Sequence, residues 1–405
     1  MSTPRVFALI GIYLLGAIGW NILGSASSMR SNSQESTLTG AVQELWGAPI
    51  VQPAPTFTVT VPGTQRQRAI APVENRIAAT IDLEHRRKGL LWYSTYAVDF
   101  DAQYTLANSE PIAQTVRVHF PLPSKTATYE RLQATLDGTP LAGAADSGNA
   151  LDLRELVTLA PGESRRFGVH YATRGLDEWR YRLSSEGGEV RGLRVSVQTN
   201  FDDIDFAEGS LSPTRKELQD GGWRADWQAE QLITRQDIGV LTPQRLNPGP
   251  LAARMSYFAP VCLLFFFVVV AAIALLRRVD IHPMHYLFVT AGFFAFHLLF
   301  AYLVDLINVH AAFLAATVTS VGLVTSYLRA ALGPRFPWRL AAAGQCVYLV
   351  LFSYSFFLKG MTGLTVTIGS ILTLAALMYA TARLDWSGVF RRGRPRDAAA
   401  GTAVG

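Results

Sequence analysis

The chain has 405 residues, 49% of them hydrophobic and 17% charged, with a formal net charge of +5. The basic excess does not mark a nucleic-acid partner, because it lies off the polar half: residues 24–254 carry 24 Lys/Arg against 27 Asp/Glu, and the remainder carries 12 against 4. Cys262 and Cys346, the two cysteines, fall in apolar segments. The polar half therefore needs no disulfide and must be held by its own core, and the cysteines read as small apolar packing.

An apolar run, Val6–Leu23, opens the chain. It is longer than a usual signal-peptide h-region and reads as an uncleaved anchor; Gly24-Ser25-Ala26 would be the cleavage site if it were a signal peptide. Ser36–Trp46 is helical in pattern and would continue that helix outward, although Gly40 weakens it.

From about Thr56 to Val240 the hydrophobic period is two. In Trp92–Leu106, Tyr96, Val98, Phe100, Ala102, Tyr104 and Leu106 alternate with Asp99, Asp101, Gln103 and Thr105. The alternation recurs at Val116/Val118/Phe120, Leu132/Ala134/Leu136, Phe167/Val169/Tyr171, Leu193/Val195/Val197 and Trp223/Ala225/Trp227. Asn108–Pro111, Asp137-Gly138, Pro161-Gly162, Gly187-Gly188 and Gly221-Gly222 supply the turns. One wet and one buried face per strand predicts an antiparallel, sandwich-like all-β domain. Its chemistry is sparse. His85, His119 and His170 are scattered, Asp202, Asp203, Asp205 and Glu208 lack calcium-loop spacing, and Trp179, Tyr181, Trp223 and Trp227 suit a core better than a glycan platform.

Five further apolar segments follow: Met255–Leu276, His285–Val304, Val309–Ala331, Leu340–Leu358 and Met361–Ala382. Each approaches the twenty or so residues that cross a ~30 Å hydrocarbon core. The organisation expected is a transmembrane anchor (1–23), a β domain (24–254), a five-helix transmembrane bundle (255–384) and a basic tail (385–405). Ala312, Ala316 and Ser320, with Ala311, Ala315 and Thr319 beside them, and Thr365, Gly369 and Thr373 form small-residue faces that let helices approach closely. The candidate polar residues in or at the ends of these segments are His297, Asp305, His310, Gln345 and Lys359. His297, Asp305, His310 and Lys359 map to one half of the bundle and are a candidate cluster for a proton or ion path. His282 and His285 are three apart, a spacing that can ligate metal, but Pro283 and the lack of a third ligand leave no metal site there.

Charge sets the orientation. Threading six helices puts Arg5, Arg277, Arg278, Arg329, Arg335, Arg339, Arg383, Arg391, Arg392, Arg394 and Arg396 on one face, with Lys359 alone among short loops on the other. Lys and Arg are retained inside, so both termini are expected to be cytoplasmic and residues 24–254 periplasmic.

Several blocks resemble the CreD family of bacterial inner-membrane proteins. They are Gly369-Ser370 through Met378-Tyr379 to Arg383-Leu384-Asp385-Trp386; Ala315-Ala316-Thr317-Val318 through Ser326-Tyr327-Leu328-Arg329-Ala330; Trp46-Gly47 with Pro53, Pro55 and Pro62; and Gly209-Ser210-Leu211-Ser212-Pro213 with Gly222-Trp223-Arg224-Ala225-Asp226-Trp227. The resemblance implies an anchor helix, a periplasmic β domain and a five-helix bundle, and a role in envelope stress, envelope integrity, colicin tolerance and β-lactam response. It brings no catalytic residues and no cofactor. A non-enzymatic inner-membrane protein acting through its periplasmic domain is the function expected, with membrane lipid and envelope proteins as partners and no nucleic acid; a transporter or channel built on the polar cluster is the alternative.

Overall fold

The computed structural model describes residues 3–61, 63–89, 91–124, 127–141, 152–183, 189–219, 221–277, 279–333, 336–358 and 360–382. Lys359, Pro62, Gly187-Gly188, Arg278, Arg335 and the whole tail from Arg383 lie outside them. The chain divides into two compact units, one of Met1–Gln34 with Asn247–Gly405 and one of Glu35–Leu246.

The Glu35–Leu246 unit is β. An eight-stranded sheet runs in the order Arg215–Gln219, Gly222–Ile233, Glu189–Thr199, Glu74–Lys88, Leu91–Ala107, Ser164–Leu176, Glu130–Leu136, Thr139–Pro140. A four-stranded sheet follows the order Gln67–Ala69, Thr56–Thr60, Gln114–Pro121, Asp152–Leu159. A second is ordered Ile50–Pro53, Glu178–Arg182, Ile238–Leu241, Asp205–Phe206. Among the strands named, pairing is antiparallel apart from two parallel contacts, Glu74–Lys88 with Glu189–Thr199 and Ile50–Pro53 with Glu178–Arg182. Both join strands far apart in sequence, where a long connection brings the chain back in its original direction. Asp137 and Gly138, both at positive φ, make the tight hairpin that the Asp-Gly pair predicts.

Alternation places the core. Phe100, Ala102, Tyr104, Phe167, Tyr171, Phe57, Val116, Val118 and Phe120 are buried in one cluster that all three sheets contribute to. Phe100 stacks on Tyr171 at 4.9 Å and Tyr181 at 6.2 Å. Such tyrosines must also satisfy their hydroxyls. Tyr171 donates to Gln52 Oε1 at 2.6 Å, and Gln52 Nε2 donates to the carbonyls of Pro53 (2.7 Å) and Pro121 (3.0 Å). Gln52 thus ties one strand from each sheet, fully buried. Tyr104 and Tyr181 share a 2.9 Å bond, and Tyr96 donates to the Glu178 carbonyl at 2.6 Å.

One stretch breaks the alternation. Tyr93 and Thr95, in phase with the outward Asp99 and Asp101, are buried. Tyr93 joins Val42, Leu91 and Leu176 in a small cluster flanked by Leu38 and Trp46, so the end of the first helix roofs that corner of the sheet. Elsewhere the outer faces carry ion pairs two residues apart on one strand, such as Glu84–Arg86, Glu178–Arg180 and Glu189–Arg191.

The first helix, α1, runs unbroken over Thr3–Trp46, so Gly40 and the small residues Gly24–Ala26 do not interrupt it. Gly47 ends it at φ +96°, its N–H bonded to the Gln43 carbonyl. The other helices are α2 (Pro248–Arg277), α3 (Pro283–Leu303), α4 (Val309–Leu332), α5 (Trp338–Phe357) and α6 (Thr362–Thr381). α2 begins ahead of the apolar run expected from Met255, because Pro248 suits a first turn and Leu251 and Ala252 are buried. All six are long and apolar enough to cross a membrane.

The small-residue faces pack as expected on one side. Ala312, Ala316 and Ser320 are buried, whereas Ala311 and Thr319 are exposed, so a single face of α4 meets the bundle. Gly292 on α3 sits against Val324 of α4, leaving no room for a Cβ. On α6, Gly369 lies against the Phe352 ring and Thr373 Oγ1 bonds the Tyr348 hydroxyl at 2.6 Å. Cys262 is buried, as small apolar packing requires, but Cys346 is exposed and does not pack in that way; the helix phase turns it outward.

Candidate functional site

The polar residues of the helical unit go to separate partners. His297 is buried on α3, its Nδ1 3.0 Å from the Phe293 carbonyl of the preceding turn. Its ring meets Phe296 edge-on at 4.9 Å and Trp20 of α1 at 5.7 Å. His297 Nε2 and Trp20 Nε1 are both buried without a hydrogen-bond partner among the described residues. Asp305 forms a 3.0 Å ion pair with Arg30 of α1, and Arg30 also donates to the Ala301 carbonyl at 2.9 Å and stands 5.3 Å from the Tyr302 ring centre. His310 is exposed and stacks on Phe357 at 5.0 Å. Lys359 lies outside the described residues. The expected cluster is thus an ion pair anchored on α1, a buried histidine against α1, and a ring stack on α5.

Sequence reading had no cue for Arg30, counted with the exported charges. At the other end of α1, Arg5 Nη1 donates to both carboxylate oxygens of Asp280, at 2.7 and 2.9 Å. Arg5 and Arg30 are about 37 Å apart along a helix rising 1.5 Å per residue. Their two pairs bracket an apolar stretch long enough for a ~30 Å hydrocarbon core.

A second polar thread crosses the bundle interior. Gln345 Nε2 donates to Ser320 Oγ at 3.1 Å, and Ser320 Oγ donates to the Gly292 carbonyl at 2.7 Å. Among the described residues Gln345 Oε1 has no hydrogen-bond partner. Directly after it, Cys346–Leu351 forms a π-helical turn within α5. Such turns are rare and occur mostly as single-turn bulges inside α-helices. The thread links α3, α4 and α5, each bond replacing one that water cannot supply in lipid.

The histidines at the start of α3 do not act together. His282 caps the helix, its Nδ1 accepting from the Met284 N–H at 3.3 Å, while His285 Nδ1 is 2.8 Å from the Tyr327 hydroxyl. Among the described residues no three His, Cys, Asp or Glu side chains gather as a metal site requires. In the β domain, Trp179, Tyr181 and Trp227 are buried, so they are core and not a glycan platform. Trp223 is half-buried, donating to the Asp202 carbonyl at 2.6 Å with Lys216 Nζ 4.3 Å from its ring centre. His119 sits 3.1 Å from Asp152, His85 bonds the Pro243 carbonyl at 2.9 Å, and His170 lies 3.7 Å from Asp99.

No curated protein matches the chain. A crystal structure described as a "putative nutrient binding protein" from Legionella pneumophila is 12% identical, covering 61% of this chain and 84% of its own, at a TM-score of 0.29. A likeness that slight bears on neither fold nor function. The family model described as inner membrane protein CreD matches residues 237–387, from the last strand of the β domain through all five bundle helices. Two of the four resembling blocks, at 315–330 and 369–386, fall inside that span. With six helices long and apolar enough to cross a membrane, the chain is a multi-pass membrane protein, similar over residues 237–387 to the CreD family.

Proposed function

We propose that the protein sits in a bacterial inner membrane with both termini cytoplasmic and the β domain periplasmic, and supports envelope integrity or the envelope stress response as a scaffold, not as an enzyme. The observation that carries the orientation is the segregation of eleven of the twelve Lys/Arg outside residues 24–254 to one side of the spans. The scaffold reading draws on the packing: His297, Asp305 and His310 serve helix contacts, and the β domain spends its aromatic residues on a closed core. Its partners are membrane lipid and other envelope proteins.

Two experiments test this reading. In a cysteine-free background, Ser109→Cys should react with an impermeant maleimide in intact spheroplasts and Ala399→Cys should not; labelling of the tail from outside overturns the orientation. In a deletion strain challenged with an envelope-targeting antibiotic, His297→Ala and Asp305→Asn should complement whenever protein levels are normal. Substituting exposed β-domain residues, such as Leu156→Lys with Leu218→Lys, should impair complementation more. Complete loss of function at normal abundance in both bundle variants favours a transporter or channel instead.

A further inference from the structure

Between α4 and the start of α5 lies a cleft of about 480 Å³ lined by Gly322, Thr325, Ser326, Arg329, Ala330 and Trp338. Its wall is low because Gly322, Ser326 and Ala330 follow at intervals of four and so share one helix face. A Cβ at Gly322 would meet nothing within 4 Å. The rim is cationic. Arg329 and Arg339 both stand over the Trp338 indole, 5.6 and 5.4 Å from its centroid. Among the described residues neither guanidinium has a carboxylate within ion-pair distance. Two like charges on one ring repel, and more strongly beside hydrocarbon than in water.

Thr325 adds an independent observation. Thr290, Thr365, Thr367 and Thr373 each donate to the carbonyl four residues earlier, the usual outlet for a threonine in an apolar helix. Among the described residues Thr325 Oγ1, like Thr317 Oγ1 two turns earlier on α4, is buried and makes no hydrogen bond, and of the two only Thr325 lines the cleft. A donor without an acceptor therefore sits in the wall of a cleft whose rim holds two cations with no carboxylate partner among the described residues.

We propose that this cleft binds an anionic phospholipid. The phosphodiester lies between Arg329 and Arg339 and accepts from Thr325 after a χ1 turn. The glycerol region rests on Trp338, and one acyl chain runs along the Gly322–Ser326–Ala330 face. Arginine forks match phosphate oxygens, and Trp with Arg at the end of a span is the composition of the headgroup layer. Basic clefts between membrane helices on the cytoplasmic side suit anionic headgroups. The proposal rests on the six helices being spans with their arginine-rich ends inside.

The test uses the full chain in phosphatidylcholine nanodiscs, with phosphatidylglycerol of the same acyl chains titrated in and retained lipid read by native mass spectrometry. Phosphatidylglycerol should be retained selectively, and the Arg329→Gln/Arg339→Gln variant should bind it about thirtyfold more weakly. Gly322→Leu keeps both charges but fills the acyl face, and should also lose selective retention. Thermal unfolding in pure phosphatidylcholine should match the parent for each variant, and if Gly322→Leu fails that control the arginine pair decides. Equal retention of the two lipids by the parent, undiminished phosphatidylglycerol binding by the arginine variant, or displacement by inorganic phosphate each overturns the proposal, the last assigning the cleft to a free anion. Failure of the membrane reading shows separately, in the maleimide pattern of Ser109→Cys and Ala399→Cys.

Discussion

Leu218 in the β domain and Leu372 on α6 are each 64% exposed, yet they stand on surfaces of opposite character. Around the first, exposed large hydrophobics are scattered singly (Val73, Ile112, Leu156, Ile233) among ion pairs along the strands. Around the second they are continuous: Leu364, Ile368, Ile371, Leu374, Met378 and Tyr379 share α6, and Phe7, Ile10, Leu14, Leu15, Ile18 and Ile22 do the same on α1. The β domain is organised by removing apolar surface from water. The helical unit cannot be, because lipid tails are as apolar as leucine, so small residues and polar ties such as Gly292–Val324, Arg30–Asp305 and Gln345–Ser320 hold its helices together.

The sharpest blow to the β side of this contrast is Phe100→Ala. Phe100 is fully buried between aromatic neighbours, and the change should cost about 3–5 kcal/mol in urea unfolding of an excised Glu35–Leu246 unit. That unit should fold without an oxidant, and starting it at Glu35 keeps Val42 over Leu91 and Tyr93.

Leu372→Lys against Leu218→Lys tests the contrast itself. At equal exposure the first should cost roughly 2.5–3.5 kcal/mol of membrane insertion. The second should stay within about 0.5 kcal/mol of the parent's stability. Similar effects from both, read by insertion assay and by unfolding of the excised domain, would break the comparison.

Tyr171→Phe probes the junction of the three sheets. It strands Gln52 Oε1 in the core and should cost about 1–3 kcal/mol, with little change in packing volume. An unchanged urea midpoint would remove Gln52 as the tie.

The smallest effect expected is at Asp177. Burial, then the nearby Glu35 and Glu178 charges, raise its pKa above the ordinary carboxylate value. The folded state therefore holds the proton more tightly than the unfolded state, so this group lowers stability as pH rises from its unfolded pKa through the raised folded one. Asp177→Asn tolerates the same positive φ of 62° and should raise the melting temperature slightly at neutral pH, with the gain vanishing in acid. A gain that persists at low pH would assign it to something other than the charge.

Much of this architecture was legible because the signals are local. A period of two from Tyr96 to Leu106 places those residues in a core whatever the sheet order, and runs such as Val309–Ala331 are long and apolar regardless of their neighbours. Asp137-Gly138 encodes its hairpin in two residues. The candidate site was less legible. His297, Asp305 and His310 are close in sequence, but a helix turns successive side chains about 100° apart, and partners from other helices decide where each goes. Arg30 meets Asp305 across 275 positions of chain, counted between residue 30 and residue 305.

By itself the sequence determined the six apolar helices, the alternating β domain and the asymmetry of charge, since each follows from composition and period within a short window. Only the tertiary structure decided that the end of α1 roofs Tyr93, that Gln52 joins three sheets, and that Asp305 and Gln345 find their partners on other helices. Those outcomes depend on which distant surfaces meet, and a buried hydroxyl, amide or carboxylate takes whatever partner that meeting provides.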